Sequence, residues 1–182
     1  LKFNQTPHDF HEAFLFPCMM RIQEATSEDI PVIQRIAYTT WPPTFGEILS
    51  KEQIDYMLTM MYSREALEMQ MSRGHTFILI SDEHQPLGYA SYELYSSNTS
   101  LTKIHKLYLL PSAQGRGIGK TLIDTIKNIA RAKEQSGLTL NVNIHNKAIS
   151  FYQHYGFQIQ GSEIIDIGNG FVMDDYIMTF TF

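Results

Sequence analysis

The segment Gln114-Gly115-Arg116-Gly117-Ile118-Gly119 constrains this chain more than any other. It follows the apolar run Leu107-Tyr108-Leu109-Leu110-Pro111 and opens a helix-like stretch over residues 120–132. Glycines crowded into a strand-to-helix junction sacrifice backbone entropy and let main-chain N–H groups approach something outside the chain. The first turn of a helix has unpaired N–H donors at the positive end of its dipole, so the natural guest is an anion, most often a phosphate. A Walker A loop is excluded by counting: Gly119-Lys120-Thr121 supplies its end, but Gln114 stands where its first glycine belongs. A dinucleotide fingerprint is met at Gly115 and Gly117 and then finds Lys120 in place of the third glycine. What remains is a shorter phosphate loop, or a turn that merely redirects the chain.

The flanks narrow the choice. Residues 102–110 read as a strand ended by Pro111, and residues 138–144 alternate as a second strand. Next comes Asn146 as a helix N-cap, with Ile149, Phe151 and Tyr152 as a short apolar face and Gly156 as the stop. The spacing Gln-x-x-Gly-x-Gly resembles the pyrophosphate loop of the GNAT acyltransferase superfamily, and Asn146, Ala148, Phe151-Tyr152 and Gly156-Phe157 resemble its second signature. Two motifs in the right order, separated by a helix and a strand, are far more specific than either alone.

Read in order, residues 21–25 form a first strand and Thr26-Ser27-Glu28-Asp29 a capping box. A helix follows to about Thr40, where Trp41-Pro42-Pro43 should break it into a loop. Helices over residues 51–61 and 64–71 precede three antiparallel strands, residues 75–81, 87–95 and 101–110, joined by turns at 82–86 and 96–99. Two last strands, residues 158–167 and 171–180, meet at Gly168-Asn169-Gly170. This succession is similar to the GNAT fold: an α/β (α+β) domain whose mixed, mostly antiparallel sheet splays between strands four and five. The expected organisation is one such domain over residues 20–182 behind an extension over 1–19 of uncertain order. In that extension Phe10, Phe14, Leu15 and Phe16 suggest a packed helix or disorder, without the basic region or cleavage site of a signal peptide.

The resemblance implies a chemistry: a substrate amine attacks the thioester of acetyl-CoA directly. Main-chain N–H groups of Gln114, Gly115, Arg116, Gly117, Ile118 and Gly119 would hold the pyrophosphate, with Arg116 and Lys120 adding charge, and Asn146 would contact the cofactor. Backbone N–H groups of Leu107 and Leu109 would polarise the thioester, and Tyr152 would serve as the acid for the leaving thiolate. Many members carry glutamates on the fourth strand where this chain has Lys103 and His105. His105 is therefore a candidate base, its unperturbed pKa near 6.5 depressed by Lys103 beside it; Glu93 on the neighbouring strand is another, and a water chain is the third. Tyr38, Trp41, Phe45, Asp174 and Asp175 would line the acceptor end; Asp174, Asp175 and Glu47 could attract an ammonium group, and the aromatics could add cation–π contacts. The Trp41–Phe45 and Asp175–Met178 segments resemble bacterial members described as diamine or polyamine acetyltransferases. Alternatives are acetylation of protein N-termini or lysines, and a non-catalytic acyl-CoA sensor on the same scaffold.

Composition fits this reading. At 182 residues and 43% hydrophobic the chain can bury a proper core, and no apolar run is long enough for a membrane span. A net charge of −5 argues against a nucleic-acid partner and leaves room for a cationic small-molecule amine. The single cysteine, Cys18, cannot form an internal disulfide and fits the cytoplasm. No metal is expected, and a homodimer is an assembly the resemblance allows.

Overall fold

Strand β1 (Arg21–Glu24) leads to Thr26, whose hydroxyl accepts the Glu28 N–H at 3.3 Å while the Asp29 carboxylate accepts the Thr26 N–H at 2.9 Å. This reciprocal cap sets one 3-10 turn (Ser27–Asp29) and then helix α1 (Ile30–Phe45). The structure, a computed structural model, describes residues 20–83, 85–96 and 99–182. The aromatic run over 10–16, Cys18, and turn residues His84, Ser97 and Asn98 lie outside the described residues.

The break expected at Trp41 does not occur: α1 continues through Pro42 and Pro43 to Phe45. Both prolines fall in its last turn, where the loss of their N–H groups leaves only the carbonyls of Tyr38 and Thr39 without a helical donor. Tertiary packing holds that turn in place. Trp41, 2% exposed, packs its ring 4.7 Å from that of Phe45 and 5.6 Å from that of Tyr62. Within the turn the Thr44 hydroxyl donates to the Thr40 carbonyl at 2.6 Å, and the Gly46 N–H to that of Pro42 at 2.9 Å. Ser50 and Ser63 then cap α2 (Lys51–Tyr62) and α3 (Arg64–Ser72) by accepting the N–H groups of Gln53 and Ala66.

The remaining strands are β2 (Thr76–Ser81), β3 (Pro86–Glu93), β4 (Leu101–Leu109), β5 (Gly137–Asn143), β6 (Gln158–Gly168) and β7 (Phe171–Thr181). They form one seven-stranded sheet in the order β1-β2-β3-β4-β5-β7-β6, in which only β4 and β5 run parallel. Helix α4 (Ile118–Ala132) makes the crossover, as a parallel pair requires. Its buried stripe of Ile118, Leu122, Ile123, Ile126 and Ala130 covers one sheet face together with α5 (Ile149–Tyr155). The opposite face carries α1 to α3 over Phe77, Leu79, Tyr89 and Tyr108. Each face therefore has its own core, and a side chain's place along a strand decides which one it enters.

Trp41→Ala should destabilise the fold by about 3–5 kcal/mol, the range for deleting a large buried aromatic, whereas Tyr38→Ala, at a residue 49% exposed, should stay within about 0.5 kcal/mol. Urea denaturation of the two variants beside the wild type measures both.

Candidate active site

The sheet opens at one place. Parallel pairing of β4 with β5 runs from Leu101↔Gly137 to Ile104↔Leu140 and ends there, while β5 stays paired with β7 through Asn143. From His105 to Leu109 one edge of β4 is unpaired. The Leu110 N–H donates to the Leu87 carbonyl on β3 at 2.9 Å. Backbone direction alternates along a strand, so the N–H groups of Tyr108 and Lys106 also face β3, and those of Leu109 and Leu107 face the gap. The two donors singled out from the sequence thus point into the splay, although their side chains carry no polar atom.

At the closed end of the gap β4 has a bulge. Ser91 pairs with Lys106 and Tyr92 with Ile104, leaving His105 as the extra residue. Two successive side chains, His105 and Lys106, then lie on the face of α1 to α3. The Lys106 ammonium donates to Gln70 Oε1 at 2.6 Å and lies 5.5 Å and 5.8 Å from the ring centres of Tyr62 and Phe77. Burial pulls its pKa down to about 8.

His105 leans away from the gap. Its Nε2 is 3.0 Å from Glu93 Oε2, and its ring stacks on His75, centres 3.9 Å apart and planes within 13°. Burial, then the neighbouring His75, lowers its pKa to about 4, outweighing the Glu93 hydrogen bond. Lys103 also lowers it, by less than burial and His75 do, and the ring is a weak base. His75 escaped the sequence reading because nothing in it signals that the residue before β2 meets the middle of β4 across two strands.

On the other side of the gap stands Asp175 of β7, opposite Asn143 on β5 and Glu163 on β6. It is 1% exposed, and its Oδ1 has no hydrogen-bond partner among the described residues. Burial, then the carboxylates of Glu163 and Asp174, raise its pKa to about 6 against the opposing pull of Lys103. Asn141 donates to Glu163 on the same rim. Asp174 is half-buried, on the alternate face, with its carbonyl accepting the Ile144 N–H at 3.1 Å. Glu47 is exposed and paired with Lys147 at 2.9 Å. Trp41 and Phe45 are interior, so they support the acceptor end from beneath, with Trp41 6.0 Å from Tyr108 by ring centres. Tyr38 stands exposed at the surface.

Tyr152 lies on α5, buried against Phe151 and Phe157, and burial pushes its pKa up to about 12. The Tyr108 phenol feels both Tyr152 and Asp175, which raise its pKa further beyond the effect of burial. Tyr108 is thus within electrostatic reach of groups on both α5 and β7. Asn146 does not cap α5 directly. Its Oδ1 accepts the Ala148 N–H at 2.8 Å, an Asx turn one step before the helix, because α5 begins only at Ile149.

The loop after β4 has the shape its glycines require. Gly115 and Gly117 hold φ of +73° and +76°, and a Cβ at either would meet nothing within 4 Å, so the backbone faces open space. Gly119 differs: a Cβ there would come 3.2 Å from the Phe151 ring, and its absence lets α4 pack on α5. Ile118 is a core residue, while Gln114 and Arg116 are exposed. The Lys120 ammonium, expected over phosphates, pairs with Asp124 at 2.6 Å. A cleft of about 240 Å³ between α4 and α5, lined by Lys120, Lys127, Phe151 and Tyr155 among others, adjoins the loop.

Comparison with known proteins agrees with this geometry. The family model described as an acetyltransferase (GNAT) domain matches residues 47–179. Spermidine N(1)-acetyltransferase of Thermoplasma acidophilum is 25% identical over 85% of this chain and 96% of its own length. A peptidyl-lysine N-acetyltransferase of Salmonella typhimurium, YjaB, is 33% identical over 50% of this chain and 57% of its own. Among solved structures, the coenzyme A complex of PaiA N-acetyltransferase from Thermoplasma acidophilum superposes with a TM-score of 0.75 at 24% identity, covering 90% of this chain and 99% of that one. A GNAT enzyme from Rhodopseudomonas palustris gives 0.76 at 22% identity over 89% and 95%. With the split sheet, the glycine loop and the matched domain in agreement, the chain belongs to the GNAT family of acetyl-CoA-dependent N-acetyltransferases.

Proposed function

We propose that this enzyme acetylates a primary amine of a small, cationic diamine or polyamine. The observation that carries the reading is Asp175, a buried carboxylate with an unpartnered oxygen at the rim of the gap. A buried anion without a partner is unfavourable unless a cation completes it, and an ammonium group is the complement. The spermidine acetyltransferase relative supports the same class of acceptor. Such an enzyme works in the cytoplasm, where its donor is made.

In this mechanism the N–H groups of the 114–119 loop hold the pyrophosphate of acetyl-CoA, with Arg116 and a reoriented Lys120 adding charge and Asn146 contacting the cofactor. The pantetheine arm fills the gap along β4, and the thioester oxygen lies on the N–H groups of Leu107 and Leu109. Asp175 draws the ammonium in. The ammonium first releases one proton to solvent; the neutral amine then attacks the carbonyl carbon, and the bonded nitrogen becomes strongly acidic. Asp175, with a pKa of about 6, takes its proton as the C–S bond breaks. His105 and Glu93, named as bases from the sequence, are left without that task because His105 is a weak base turned toward β2.

Tyr152 acts at the sulfur. A phenol of pKa about 12 does not surrender its proton outright to a thiolate whose acid has a pKa near 8.5. Its role is a hydrogen bond to the thiolate as charge develops, with the proton completed from water. Tyr152→Phe should lower kcat by about 10²-fold or more while the KM for acetyl-CoA changes only a few-fold, read by thiol release.

Asp175 yields a paired prediction. For wild type, kcat/KM should fall on the acid side with an apparent pKa of about 6; if His105 were the base the limb would lie near 4. Asp175→Asn should remove the limb and most of the activity. The same variant should be more stable. A carboxyl whose folded pKa is raised binds more protons folded than unfolded, so wild-type stability falls as pH climbs from 3.8 to about 6 and stays lower above that. The variant escapes the loss, a gain of about 1–3 kcal/mol at pH 7.5 that vanishes below pH 4, measured by urea unfolding.

The deciding experiment is thiol release from acetyl-CoA against polyamines, diamines, amino acids and lysine or N-terminal peptides. Turnover confined to polyamines and diamines supports the reading; preference for peptides overturns it in favour of a protein acceptor.

A further inference from the structure

Outside the transfer machinery, three metal-binding side chains meet on the sheet face beneath α1 to α3. His75 immediately precedes β2, Glu93 ends β3, and His105 occupies the β4 bulge. One ligand atom from each lies within 4.8 Å of the other two. His75 Nδ1 is shielded from solvent and has no hydrogen-bond partner among the described residues. We propose that His75, Glu93 and His105 bind one divalent transition-metal cation of the Zn²⁺ class, linking β2, β3 and β4 at the bulge.

The donor set selects the cation. Two imidazoles and one carboxylate suit zinc, cobalt or nickel, whereas magnesium and calcium prefer all-oxygen sites. Three protein ligands leave one tetrahedral position for water. Imidazole binds a metal in its neutral form, through a ring nitrogen free of other partners, and His75 Nδ1 is such a nitrogen among the described residues. The Glu93–His105 contact at 3.0 Å already orients two of the three groups toward each other. Zinc–ligand bonds of about 2.0–2.2 Å set tetrahedral ligand atoms about 3.4 Å apart, so the wider of the separations, at most 4.8 Å, must close by about 1 Å, within reach of side-chain rotation. The stacked rings must open from their 13° parallel arrangement as they close.

Three positive groups surround the cluster: Lys106, Lys103 and Arg73. The nearest in kind is Lys106, but its ammonium is held by Gln70 and directed between the rings of Tyr62 and Phe77. The bound ion takes no part in acetyl transfer. It fixes the bulge, which sets the direction of every β4 group that follows.

The test uses full-length, tag-free protein freed of metal with EDTA. Co²⁺ is titrated while its visible d–d bands are recorded, and Zn²⁺ is then added to displace it. The expected result is one equivalent per chain with tetrahedral-type absorption, and Zn²⁺ displacing Co²⁺. Affinity should fall at least tenfold in His75→Ala, Glu93→Gln and His105→Ala, and remain unchanged in His154→Ala on α5. Thermal unfolding with EDTA establishes that each variant is folded; Glu93→Gln, which keeps shape and hydrogen bonding, decides the matter if either alanine variant does not fold. The proposal is overturned if wild type takes up no stoichiometric cation. It is equally overturned if Glu93→Gln binds as wild type does, or if uptake depends on His8 and His11 instead.

Discussion

Everything at this site depends on β4 keeping its bonds to β3 while releasing β5 after Ile104. A strand edge left open inside a sheet is costly, because its N–H and C=O groups lose partners in an apolar setting. Here the cost is sustained because α4 on one face and α1 to α3 on the other fill two separate cores against the parted strands. The opening is thus a property of the whole packing arrangement. In the mechanism proposed above, its unpaired donors meet the acyl carbonyl, and being fixed beforehand they need no rearrangement during the reaction.

The charges follow the same division. On the β3 side of β4, burial and neighbouring positive groups lower the pKa values of His75 and His105, and burial alone lowers that of Lys106 to about 8. On the β7 side, Asp175 is raised to about 6 by burial and by two neighbouring carboxylates. A basic and an acidic group, each moved toward neutrality, flank the strand that carries the acyl-binding edge. Such poised groups belong to sites that exchange protons, and they lower the stability of the resting protein.

Much of this was legible in the sequence, because the informative features are periodic or local. The glycine loop, the strand pattern and the capping box need only near neighbours to specify them, and each was found within a residue or two. What the sequence hid depends on packing across distance. Pro42 and Pro43 read as a helix break, yet Trp41 and Phe45 hold the turn from within the core. The same burial withdrew those two aromatics from the open acceptor lining. His105 was visible as a candidate, but its lowered pKa comes first from burial and then from His75, a residue thirty positions earlier that only the sheet brings alongside. Asp175 was noted for charge; its isolation on the rim between β5 and β6 is a matter of register.

The contact between Gly119 and the Phe151 ring joins two tasks that the chain otherwise keeps apart. Gly119 lies in the first turn of α4, which in the proposed mechanism faces the pyrophosphate, and Phe151 is the residue next to Tyr152. With so little room between them, α4 cannot shift under a bound phosphate without pressing on the segment that carries the phenol. With the donor bound as proposed, grip on its distal end becomes alignment at its sulfur. A donor trimmed to acetyl-pantetheine would then suffer in turnover as well as in affinity, since binding energy from a remote group is spent on geometry at the reacting one.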